Sequence, residues 1–117
     1  MITIVDVARA GDAWQVRWRI TSETTVRLTH AAAPHGNFRA ADATLDLETP
    51  TDLVLEVVSS APPLNDIENA FLILTAEDGA RAWRILARMR VRLDSAGVPH
   101  PTIERVDVQE VGFSGQR

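Results

Sequence analysis

The sequence predicts an all-β chain, a two-sheet antiparallel sandwich of seven to eight strands. Three observations carry this. Apolar residues recur with a period of two along most of the 117 residues. Turn-forming residues break the pattern at short intervals, several strands falling about 8–12 residues apart. No segment reads best as a helix.

The first segment, Ile2-Thr3-Ile4-Val5-Asp6-Val7, alternates, and Gly11-Asp12 then supplies turn chemistry. Trp14, Val16, Trp18 and Ile20 alternate with Gln15, Arg17 and Arg19, the cleanest half-buried strand in the chain. A third strand is expected over 24–30, with Val26, Leu28 and His30 on one face. Ala33-Pro34-His35-Gly36-Asn37 reads as a loop. Short runs around Leu45 and Leu47, then from Leu53 to Val58, flank a turn at Pro50. Ala61-Pro62-Pro63 ends the second run, and a longer connection is expected from Leu64 to Asn69.

Ala70 to Ala76 is almost continuously apolar, as in a strand covered on both faces, and Glu77-Asp78-Gly79 signals a hairpin. Two templates compete for Arg81 to Leu93. With period two, Trp83, Ile85, Ala87, Met89, Val91 and Leu93 face inward, and only Leu86 interrupts an outer row of arginines. A helical stripe of Ala82, Ile85, Leu86, Met89 and Leu93 leaves Trp83 and Val91 misplaced. The segment is therefore read as a strand. A last strand is expected from Thr102 to about Val111, before a Gly112-Phe113-Ser114-Gly115 tail. The predicted inter-sheet core is Trp14, Val16, Trp18, Ile20, Leu28, Leu55, Leu72, Leu74, Trp83, Ile85 and Met89.

At fold level this pattern resembles the immunoglobulin-like and fibronectin type III sandwiches. The resemblance rests on strand count, length and a buried-type Trp on an early strand. Cysteine and tyrosine are both absent, so the inter-sheet disulfide and the tyrosine corner are missing. A sandwich implies no particular function.

Composition excludes several classes. Without cysteine there is no thiol nucleophile, Cys-ligated zinc or iron–sulfur cluster. No signal peptide and no membrane-length apolar run is visible, so a complete, soluble, cytoplasmic protein is expected. All 12 basic residues are arginine, and their placement is uneven. Residues 40–80 carry nine carboxylates and no basic residue, whereas 81–92 carry five arginines and no carboxylate. Cross-strand pairing is the ordinary reading of such a row. A contact surface between copies of the chain is the alternative, because Arg binds carboxylates bidentately. With a pI near 5.3 and no aromatic RNA motif, nucleic acid is not an expected partner.

Motifs for chemistry are few. There is no G-x-S-x-G elbow, P-loop or G-x-G-x-x-G. His30, His35 and His100 lack recognised metal-ligand spacing, so a metal-assisted hydrolase using His30, His35 and nearby acids is the least favoured reading. No cofactor and no metal are expected. Carboxylate pairs two apart, such as Asp46 with Glu48, read as solvated strand surface. The candidate binding residues are His35, Asn37 and Arg39 in one loop, Trp83, and the row Arg84, Arg88, Arg90 and Arg92. The expected function is a non-catalytic protein acting through self-association, as a homodimer, or through another protein. The alternative is a module binding a small ligand or a carbohydrate through Trp83, the His35 loop and nearby arginines.

Overall fold

A computed structural model describes residues 1–113. Eight strands form: β1 (Ile2–Ala10), β2 (Ala13–Ile20), β3 (Arg27–His35), β4 (Phe38–Glu48), β5 (Thr51–Ser59), β6 (Asp66–Asp78), β7 (Arg81–Leu93) and β8 (Pro99–Phe113). The all-β antiparallel class is as expected. The ladder runs as one eight-stranded sheet in the order β1-β2-β5-β4-β3-β6-β7-β8, curled into a half-barrel, and a two-sheet sandwich is not shown. Continuity rests on a narrow join. β4 and β5 pair only at Phe38↔Ser59 and Arg39↔Val58, whereas β6 and β7 pair along their whole length.

Several boundaries differ from expectation for physical reasons. Ala33 to His35 belong to β3, and the loop shrinks to a two-residue turn at Gly36-Asn37. The β3–β6 ladder ends at Ala32, so Pro34 sits where a missing N–H is tolerated. β3 starts at Arg27 rather than Thr24. β6 starts at Asp66, because a bulge between Ile67 and Ala70 absorbs Glu68 and Asn69 into the strand. The 81–93 segment is a strand throughout. Gly112 and Phe113 end β8, and Ser114 and Gly115 lie outside the described residues.

The inner face of the half-barrel is the core. Val16, Trp18, Ile20, Leu28, Leu53, Leu72, Leu74, Met89 and Val91 are buried there. Trp18 is 0% exposed, and its indole N–H is buried without a hydrogen-bond partner. Such an orphan donor costs about 1–3 kcal/mol, which the apolar burial of the ring must exceed. Trp83 and Ile85, placed in the core by alternation, are only half-buried. Their row is inward, but they lie where the half-barrel opens.

Two crossover connections close the ends unequally. The β5–β6 connection, residues 60–65, is laced to the end it crosses. The Leu64 amide donates to the Leu93 carbonyl at 3.1 Å, and the Leu93 amide donates to the Asn65 carbonyl at 2.9 Å. Leu93 and Pro99 are buried beneath it. The β2–β3 connection, residues 21–26, crosses the opposite end. It is held at both of its ends: the Thr21 amide donates to the Met1 carbonyl at 2.8 Å, and Thr49 exchanges two bonds with Val26, amide to carbonyl at 3.0 Å and Val26 amide to the Thr49 Oγ1 at 3.1 Å. Tight turns at Gly11 and Gly79 use positive φ of 61° and 63°, a region open to glycine without strain. Among the described residues no helix is long and apolar enough to cross a membrane.

Candidate functional site

The sequence-derived candidates separate into three places. His35, Asn37 and Arg39 surround the β3–β4 turn and bond to it. The Asn37 amide donates to His35 Nδ1 at 3.0 Å, and Arg39 donates to the Gly36 carbonyl at 2.8 Å. The Asn37 side-chain oxygen accepts from the Ser60 hydroxyl at 3.1 Å. These groups close a turn and tie it to the β5–β6 connection. Trp83 lies in the row of Leu28 and Ala76, so His35 is seven residues further along β3, about 23 Å away at 3.3 Å per residue. The loop and Trp83 cannot share one small ligand.

The arginine row lies on the outer face and is largely paired within the molecule. Arg90 donates through Nε and Nη2 to Asp66 at 3.0 and 2.9 Å, with Glu68 at 3.6 Å. Arg88 lies 3.7 Å from Glu104, the β8 residue that a bulge between Arg88 and Met89 leaves without a cross-strand partner. Arg81, at the head of the strand, forms a bidentate pair with Glu110 at 2.8 and 2.9 Å. That bond holds the Glu110 carboxyl below its ordinary range and raises the Arg81 guanidinium. Half of these carboxylates come from β8 rather than from the acidic block. Among the described residues, Arg84 and Arg92 have no carboxylate within 4 Å. Exposed pairs of this kind contribute about 0–1 kcal/mol each, so the row organises the outer face more than it stabilises it.

The remaining candidate, Trp83, stands at the weakly closed end, beside a recess of about 350 Å³. Its walls are Ile2, Ile20, Val26, Ile85, Val106 and Val108, with Trp83 on one side. The crossover residues Thr21, Ser22 and Thr24, together with Glu23 and Asp78, form a polar rim. Val106 and Val108 lie opposite Ala87 and Ile85 in register, so they share the inward row. They are nevertheless exposed, Val106 at 38% and Val108 at 61%. The Arg81 guanidinium sits 5.5 Å from the centre of the Trp83 ring and is fixed by Glu110. This cation–π contact is worth roughly 0.5–1 kcal/mol at an exposed site and holds the indole in place.

The recess is concave and mainly apolar, with hydroxyls and carboxylates confined to its edge, the usual build of a small-molecule site. Sequence reading identified Trp83 but missed Val26, Val106, Val108 and the Thr21–Thr24 rim. The alternation of Val106 and Val108 was visible; which end of the molecule they reach depends on pairing between distant strands.

The histidines do not converge. His30 Nδ1 lies 3.1 Å from its neighbour Thr29, and His100 Nε2 lies 2.9 Å from Asp94. Among the described residues no group of three or more His, Asp or Glu side chains could hold a metal ion. In comparison with known proteins, the chain matches no family model, no curated protein and no solved structure.

Proposed function

We propose that this protein is a binding module that holds a small apolar ligand in the open end of its half-barrel, against Trp83. The observation that carries this reading is the apolar recess of about 350 Å³, which falls within the range typical of small-molecule sites. Each Å² of apolar ligand surface removed from water contributes roughly 25 cal/mol, which the valine, isoleucine and tryptophan walls can supply. The Thr21, Ser22 and Thr24 hydroxyls would orient a polar end of the ligand at the rim.

Calorimetric titration with indole, a short-chain alcohol series and an anilinonaphthalene sulfonate probe tests the reading. Saturable binding with a negative heat-capacity change, lost in Val108→Glu, is expected. A natively folded protein that binds none of these probes would reject it.

Contact with another protein or a second copy of the chain is a second reading. Met1 at 81% and Val108 at 61% exposure favour it, being large apolar residues beside the same recess. Sedimentation at high protein concentration, in low and high salt, distinguishes the two. A strict monomer in both conditions rejects self-association.

A further inference from the structure

We infer that the outer face carries a second site, an oxyanion subsite centred on Arg92. Arg92 of β7 lies directly opposite Asp66 of β6 on one side and His100 of β8 on the other. Arg90 and Thr102, also directly opposite each other, form the next row. With Asp94 these side chains line a recess of about 560 Å³.

The carboxylates of this recess are already engaged by other donors. Asp66 Oδ2 accepts both Arg90 nitrogens, at 2.9 and 3.0 Å. Asp94 Oδ1 accepts the Ala96 and Val98 amides, each at 2.9 Å, and its Oδ2 faces His100 Nε2 at 2.9 Å. Those bonds fix Arg90 and His100 on either side of Arg92. Arg92 itself is exposed and makes no carboxylate pair among the described residues. An unpaired guanidinium fork beside the Thr102 hydroxyl suits a planar or tetrahedral oxyanion, while Arg90 and His100 hold the neighbouring carboxylates away from it. Either a carboxylate or a phosphate group presents that chemistry.

Arg84 provides an internal control. It is also exposed and without a carboxylate partner among the described residues, but its cross-strand neighbours are Thr75 and Gln109. It therefore has the charge without the flanking groups.

The test follows backbone and arginine side-chain resonances during separate titrations with inorganic phosphate and citrate, at ionic strength held constant with chloride. Saturable shifts confined to residues around Arg92, His100 and Thr102 are expected, and the stronger of the two anions identifies the preferred class. Arg92→Gln should weaken that binding about tenfold or more, one bidentate charge-assisted contact being worth at least that factor, while Arg84→Gln changes it less than about twofold. Shifts of equal size at Arg84 and Arg92, or no saturation with either anion, would overturn the inference. The apolar recess at Trp83 lies near the other end of β7, so the outcome here is independent of the ligand reading there.

Discussion

The two ends of the half-barrel are crossed by connections of equal length, six residues each, yet one is sealed and the other open. At the sealed end, residues 60–65 bond to Leu93 and to Asn37, and Leu93 and Pro99 are buried beneath them. At the open end, residues 21–26 are held to Met1 and Thr49, and Trp83, Val106 and Val108 keep part of their apolar surface in water. The difference lies in what packs beneath each connection: Leu93 and Pro99 are buried at the sealed end, whereas Val106 and Val108 stay exposed at the open one. Length of connection does not decide closure.

That contrast predicts a graded response to substitution. Trp18, in the closed body, should be the most costly: Trp18→Ala opens a cavity worth about 3–5 kcal/mol, measured by urea unfolding. A loss below about 1 kcal/mol would mean the body is not packed as described. Leu93→Ala at the sealed end should cost about 2–5 kcal/mol by the same measurement. Thr49→Val removes a buried hydroxyl that accepts the Val26 amide, and should cost about 1–2 kcal/mol by leaving that donor unpaired. Trp83→Ala should cost less than either core truncation, because the ring is only half-buried, while abolishing binding of apolar probes.

Acid sensitivity should be shared between the two ends, with Asp94 contributing at the sealed one. Asp94 is held below the ordinary carboxyl range, first by its bond with His100 and then by the Val98 amide. Its folded form therefore binds a proton more weakly than its unfolded form. The stabilisation is fully present above the unfolded pKa of about 3.9 and is lost as pH falls through the lower folded value. Asp52, held down by Arg19, and Glu110, held down by Arg81, act in the same direction at the open end. Asp94→Asn should flatten, without abolishing, the fall in melting temperature between about pH 5 and pH 2. An unchanged slope would show that the Asp94 bonds are not maintained in solution.

Much of the fold was legible because alternation is a local signal. β2 and β7 could be read directly, and the helical alternative for β7 failed at Trp83 and Val91, both members of the strand's inner row. β4 was largely hidden, since Ala40, Ala41 and Ala43 give little contrast between faces. Ala31 and Ala33 are buried, but beside Pro34 they look like a loop. The curling into one sheet depends on two β4–β5 residue pairs, which no local pattern encodes. The candidate site divides in the same way. Trp83 was visible both as an inward position of its strand and as a candidate binding residue. Its companions at the recess come from β1, β2, the β2–β3 connection and β8, and only the strand order brings them together.

The most direct test of the open end uses the three tryptophans as reporters. With 5-fluorotryptophan incorporated, Trp14, Trp18 and Trp83 give separate fluorine resonances, assigned by single Trp→Phe variants. Titration with indole or a short-chain alcohol should shift the Trp83 resonance saturably and leave that of Trp18 in place. A Trp83 resonance that stays fixed while the probe binds elsewhere, or a Trp18 resonance that moves first, would contradict the account.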